Sequence, residues 1–160
     1  TPPPPSPILS GLVGSEMCIR DRDRMFHGFK GGGSVEKSPG REGPIRVRQL
    51  TESDTRVVAS RSHRNEETNR WLEAHQIRDT VSIGSSLKFC LVACGEADVY
   101  PRFGPTMEWD TAAGDAILRA AGGLTTNPDG LVFRYGKAGY RNFSFIASGQ
   151  PDHWEPKASV

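Results

Sequence analysis

No stretch of this 160-residue sequence is long and apolar enough to cross a bilayer as a helix, which takes about 20 consecutive apolar residues. The short apolar piece at residues 8–13 has neither a basic segment before it nor an Ala-x-Ala site after it, so it does not read as a signal peptide. An excess of one charge is also missing. Twenty Lys and Arg stand against nineteen Asp and Glu, a net charge of +1, and no basic stripe offers itself to nucleic acid. Small-molecule partners are the expectation. Cysteine is scarce: Cys18, Cys90 and Cys94 are odd in number and form no disulfide framework. Cys90 and Cys94 are spaced as on a helix within an apolar run, which reads as a pair of buried thiols in a reducing compartment. A zinc pair is the rival reading, and no second Cys or His pair at ligand spacing supports it. Finally, residues 1–22 lack hydrophobic periodicity and begin with four prolines in five residues. They read as a disordered tail, extended here to residue 24.

What is present is concentrated in Glu108-Trp109-Asp110-Thr111-Ala112-Ala113-Gly114-Asp115-Ala116-Ile117-Leu118-Arg119-Ala120-Ala121-Gly122-Gly123. Small and apolar residues recur at helical spacing, giving a narrow face that a neighbouring element can approach closely, and the glycine pair ends the helix. Asp110 sits in the first turn. A carboxylate there is favoured by the helix dipole and serves equally as a cap, so the position alone does not decide between architecture and chemistry.

Three further strings accompany it: Ser60-Arg61-Ser62-His63, the run from Gly84-Ser85-Ser86-Leu87-Lys88 to Ala93, and Tyr100-Pro101-Arg102-Phe103-Gly104-Pro105-Thr106. Together with the Trp109-Asp110 string, in this order and spacing, they resemble the inositol monophosphatase superfamily and, within it, the CysQ-type 3'(2'),5'-bisphosphate nucleotidases. The resemblance runs from about Met25 to Ala147. It implies an α/β fold, the C-terminal half of a layered α-β-α-β-α sandwich, with a phosphatase domain at residues 25–150 and a C-terminal tail at 151–160. It implies magnesium as cofactor, held by Asp110, which would also touch substrate. It implies a nucleotide site made by His63, Gly84, Ser85, Lys88 and Arg102, and adenosine 3',5'-bisphosphate as the small-molecule substrate. A cytoplasmic enzyme of sulfur assimilation follows, with peripheral association at the inner membrane and the oligomeric state left open.

The superfamily's upstream metal motifs, a paired glutamate and Asp-Pro-Leu/Ile-Asp-Gly-Thr, do not occur in the sequence. Leu12-Val13-Gly14-Ser15-Glu16-Met17-Cys18-Ile19-Arg20-Asp21 instead resembles the conceptual translation of a sequencing adapter. The chain is therefore expected to be a non-native tail joined to a C-terminal fragment, inactive by itself. Two alternatives stay open: a sister phosphatase of inositol or sugar phosphates, and a non-catalytic fragment that binds nucleotide.

The residues also carry bland readings. Ser85 at a strand-to-helix junction is an anion site or a cap, Lys88 a phosphate ligand or a solvated lysine, and Phe103 and Trp109 core or wall. Local patterns predict strands at 44–48, 56–60, 80–83, 97–100 and 143–147. They predict a helix at 65–74 capped by Ser62 or Asn65, a helix ending at Ala93 before Gly95, and a hairpin joining 125–126 to 131–134. Gly31-Gly32-Gly33 reads as flexible punctuation.

Overall fold

In the computed structural model, residues 14–19, 23–49, 55–60, 64–83 and 87–154 are described, the first of these groups by its backbone. Four strands, β1 (Gly14–Ile19), β2 (Arg24–Phe29), β3 (Gly33–Ser38) and β4 (Arg41–Ile45), form an antiparallel meander. Five others, β5 (Val57–Ala59), β6 (Thr80–Ser82), β7 (Val99–Arg102), β9 (Leu124–Thr126) and β11 (Phe145–Ser148), form a mixed sheet in the order β6-β5-β7-β11-β9. A short ladder pairs β8 (Thr106–Met107) with β10 (Arg141–Asn142). The helices are α1 (Glu66–Ala74), α2 (Leu87–Ala93) and α3 (Glu108–Ala120).

Strand alternation decides how these pieces stack. Val58, Tyr100, Phe145 and Ala147 face one way and pack with Phe89, Val92, Ile117 and Leu118 of α2 and α3. Their neighbours Val57, Val99 and Ile146 face the other way, onto Leu72 of α1 and onto Trp154. The meander closes the far side of α3, where Phe26 enters the main core and the Ser34 hydroxyl donates to the Ile117 carbonyl at 2.7 Å. The layers run meander, α2 with α3, mixed sheet, α1, and the chain is the α/β sandwich that the sequence implied.

Helix ends follow the residues at them. Asn65 caps α1, its Oδ1 accepting from the Thr68 N–H at 3.0 Å, while its amide donates to the Phe103 carbonyl at 2.7 Å. Of the two expected caps, Asn65 fills the role; Ser62 lies outside the described residues. Beyond α2 the chain turns at Gly95, whose φ of +76° is a conformation that favours glycine. Gly114 fulfils the close approach expected of the small-residue face: a Cβ there would stand 2.7 Å from the Phe89 side chain on α2.

Several expectations are corrected. Residues 1–24 are not a tail throughout, because Gly14–Ile19 pair with β2 over six residues, Gly14 opposite Phe29 and Ile19 opposite Arg24. Ladder hydrogen bonds use backbone groups that every residue but proline carries, so the open edge of β2 accepts this stretch despite its featureless side-chain pattern. The expected tail at 151–160 likewise begins with a 3-10 turn, Pro151–Trp154, which delivers Trp154 into the cluster under α1. Gly31 and Gly32 lie in the β2–β3 connection and Gly33 opens β3. The expected hairpin is present in short form: Thr126 bridges Val132, the Phe133 N–H donates to the Thr125 carbonyl at 2.9 Å and the Asn127 N–H to the Leu131 carbonyl at 2.8 Å, while the other edge of β9 pairs with β11. Predicted strands near 44–48, 97–100 and 143–147 are displaced by one to three residues.

The two cysteines are free thiols; Cys90 is buried and Cys94 partly so, and burial pushes the first up to about 12 and the second up to about 11. Cys94 lies close to Glu36 and Glu96, the one group of three potential metal ligands among the described residues. Arg24 already occupies that place, with hydrogen bonds of 2.6 Å to each carboxylate and a 3.7 Å contact to the sulfur. Among the described residues no helix is long and apolar enough to cross a membrane.

Candidate functional site

Asp110 is the third residue of α3 and is exposed. Its Oδ2 accepts the backbone N–H of Met107, the residue before the helix, at 2.9 Å. Asp110 therefore caps from the third position of the helix, while the N-cap residue itself is Met107. That bond occupies one carboxylate oxygen, and Oδ1 has no hydrogen-bond partner among the described residues. That free oxygen is a hard donor of the kind magnesium takes, although six oxygens are needed to surround the ion. No other carboxylate among the described residues joins Asp110 in a metal-binding group.

The turn that carries Asp110 is tied down by side chains distant in sequence. Glu108 is buried, and its carboxylate accepts from the Gly136 N–H at 2.9 Å, the Lys137 N–H at 3.0 Å and the Lys137 ammonium at 3.2 Å. Burial alone would raise this acid; the two N–H groups and the ammonium outweigh it and hold the carboxyl below the ordinary range. The same ammonium donates to Asn142 Oδ1 at 2.9 Å and to the Arg134 carbonyl, and lies 4.2 Å above the Phe133 ring. Asn142, fully buried, donates to the Met107 carbonyl at 3.1 Å and to Thr111 Oγ1 at 3.0 Å. These residues carry no signal in the local pattern, because each contact joins positions about 30 apart.

Lys88 stands on α2 immediately before the Phe89 that Gly114 touches, and Asp110 lies one turn before Gly114 on α3. Lys88 is 2% exposed, with its ammonium 5.0 Å from the centre of the Tyr100 ring. Burial, and then the positive charge of nearby Arg102, bring its ammonium down to about 8. Arg102 ends β7, half-buried, and its Nε is buried without a hydrogen-bond partner among the described residues. Two cations thus lie near one another, Lys88 over an aromatic ring and Arg102 at the strand end. A phosphate accepts from an ammonium and a guanidinium together.

The structure brings Lys88 and Arg102 together and sets Asp110 on the adjoining helix. His63, Gly84 and Ser85 lie outside the described residues. Phe103 is buried as expected. Trp109 is not core: it is 67% exposed and meets the Tyr140 ring at 6.5 Å. At the second position of α3 it lies off the face that packs on α2 and the meander, which is why the small residues around it, and not the indole, make the interface.

The model of the inositol monophosphatase family matches residues 8–158. The chain belongs to the inositol monophosphatase family. It is 61% identical over 66 residues to the 3'(2'),5'-bisphosphate nucleotidase CysQ of Escherichia coli (strain K12), covering 41% of this chain and 27% of that protein. To the CysQ of Salmonella typhimurium it is 54% identical over 79 residues, 49% of this chain and 32% of that one. The crystal structure of CysQ from Bacteroides thetaiotaomicron superposes with a TM-score of 0.75 at 33% identity, over 86% of this chain and 58% of that one. The chain thus spans about a third of the length of these two curated relatives.

Proposed function

We propose that this chain is the C-terminal part of a magnesium-dependent 3'(2'),5'-bisphosphate nucleotidase that hydrolyses adenosine 3',5'-bisphosphate to AMP and phosphate in sulfur assimilation. The observation that carries this reading is the nearness of two cations, Lys88, whose ammonium lies over the Tyr100 ring, and Arg102. A substrate with a second phosphate and a flat base has use for two cations and a wall, whereas an inositol monophosphate presents one phosphate and a ring of hydroxyls. The high identity to the two CysQ proteins supports the same assignment.

Hydrolysis exchanges the bond from phosphorus to the 3'-oxygen for one to a water oxygen, and the leaving oxygen takes up a proton. Bound magnesium supplies neutralisation of phosphoryl charge and a more acidic water. In this chain Asp110 would hold that ion through its free oxygen, while Lys88 and Arg102 grip the nucleotide. His63, Gly84 and Ser85 complete the nucleotide site in this proposal. One carboxylate oxygen does not surround an ion that prefers six, so the chain alone is proposed to be inactive.

The test joins this chain to the upstream half of the Escherichia coli relative and compares two substrates, adenosine 3',5'-bisphosphate and inositol 1-phosphate. Lys88→Ala and Arg102→Ala should each lower kcat/KM on the nucleotide by about 10- to 150-fold, the worth of a charge-assisted hydrogen bond of ~1.5–3 kcal/mol. Inositol phosphate should be affected little. Equal losses on both substrates would assign these residues to the fold or to phosphate in general, and magnesium-dependent phosphate release by the unjoined chain would overturn the proposed inactivity.

A further inference from the structure

Asp110 is exposed, yet the Met107 and Glu108 carbonyls just before it are held by buried side chains. Thr111, the next residue, is 2% exposed, and its hydroxyl is a hub. It donates to the Glu108 carbonyl at 3.2 Å and accepts from the Asn142 amide at 3.0 Å and from the Tyr135 phenol at 3.3 Å. Asn142 also holds the Met107 carbonyl, and the N–H of that same residue is the one that grips Asp110 Oδ2. Two hydrogen bonds in series, Asn142 to Met107 and Met107 to Asp110, therefore link a fully buried amide to an exposed carboxylate. Lys137 fixes Asn142 in turn, bonding its Oδ1 while pairing with Glu108.

We propose that Thr111 and Asn142 are positioning residues for Asp110: they hold the turn from Met107 to Thr111 so that one carboxylate oxygen is spent on Met107 and the other faces outward for a cation. The inference rests on the reading of Asp110 as a metal ligand. An exposed carboxylate on a loose turn spreads its oxygens over many directions. One held by its own backbone offers a single direction, and the ordering cost is met in folding before any ion arrives.

Terbium(III), a hard cation that takes oxygen ligands, is the probe. Its luminescence, excited through the indole of Trp109 beside Asp110, is titrated on the whole chain. Asp110→Asn should abolish the signal. Thr111→Val, which keeps the shape and deletes the hydroxyl, and Asn142→Leu should each raise the terbium Kd three- to tenfold, while Thr111→Ser stays within twofold of the parent. Leu72→Ala, which loosens the separate cluster under α1, lowers the melting temperature without moving the Kd, and so separates positioning from general destabilisation. Amide exchange of Met107, followed on the metal-free chain, should quicken at least tenfold in Thr111→Val and stay slow in Thr111→Ser. Terbium binding that survives Asp110→Asn overturns the ligand reading and the proposal with it. Loss of binding in Asp110→Asn, together with parent-like affinity and Met107 exchange in Thr111→Val and Asn142→Leu, overturns the positioning proposal alone.

Discussion

Lys88 shows how one buried charge couples binding to stability with opposite signs. Its ammonium is brought down from 10.5 to about 8, by burial first and by Arg102 second. Below pH 8 both folded and unfolded chains carry the proton, and burial makes the charged form less favourable in the folded chain than in the unfolded one. Between about 8 and 10.5 the unfolded chain binds a proton that the folded chain has shed, so stability rises with pH through that window. Anion binding runs the other way, since a phosphate needs the ammonium, and it should weaken as pH climbs past 8. Lys88→Met removes both effects. We expect the stability of the parent to rise relative to that of the variant as pH climbs from about 8 to 10.5. Its affinity for adenosine 3',5'-bisphosphate should be lower and without the step at pH 8. Urea unfolding at about pH 7 and pH 10.5 and calorimetric titration across pH 7–9 check this; a stability difference between parent and variant that stays constant over that range would mean that burial does not lower the ammonium. Lys88 and Arg102 were legible from their place in motifs, and Asp110 from its helix. Glu108, Thr111, Lys137 and Asn142 were not legible as a set, because what unites them is a fold that brings residues 106–111 against 134–142.

Elements were readable wherever a local device sets them. Asn65 before the acidic pair Glu66 and Glu67 starts α1, Gly95 ends the turn after α2, and the small-residue face of α3 announced its close neighbour. The meander of β1 to β4 was missed for the complementary reason: its strands are short, only Phe26 among their described large apolar residues is fully buried, and cross-strand partners are invisible in a linear reading. The contact between α2 and α3 gives a test at this scale. In an exposed helix Gly→Ala is stabilising by roughly 0.5–1 kcal/mol. At Gly114 the added methyl would meet three atoms of Phe89 at 2.7 to 2.8 Å, inside a core where both helices are held by the sheets on either side. Overpacking of that kind costs typically ~1–3 kcal/mol and should win. Gly114→Ala is expected to lower the melting temperature, with Gly114→Ala/Phe89→Leu recovering much of the loss; a single variant more stable than the parent would show that α3 can shift aside.

At the scale of the whole molecule, the meander is the wall that shuts the main core on the side of α3, and its outer strand is the stretch that resembles translated adapter. The sequence reading placed that stretch in a disordered, non-native tail, on which account it would be dispensable. The structure gives it six paired positions along β2 and a place against α3. Without β1, the outer edge of β2 would present unpaired backbone N–H and C=O groups, and water would reach the flank of α3. The gain from the ladder is partial, because net stabilisation of ~0.5–1.5 kcal/mol for each hydrogen bond is opposed by ~1–2 kcal/mol for ordering each residue. What β1 adds beyond that balance is cover for the edge of β2 and a place beside α3. Two shortened chains separate the contributions, one starting at Gly14 and keeping β1, the other starting at Asp23 and lacking it. The first should melt with the full chain. The second should melt lower by several degrees, on a scale of about 2–8 °C per kcal/mol for domains near this size, and should associate through the bared edge in sedimentation velocity. If both melt together and stay monomeric, then β1 contributes nothing to the closed core, the sequence reading of a dispensable segment was right in effect, and the meander is complete with three strands.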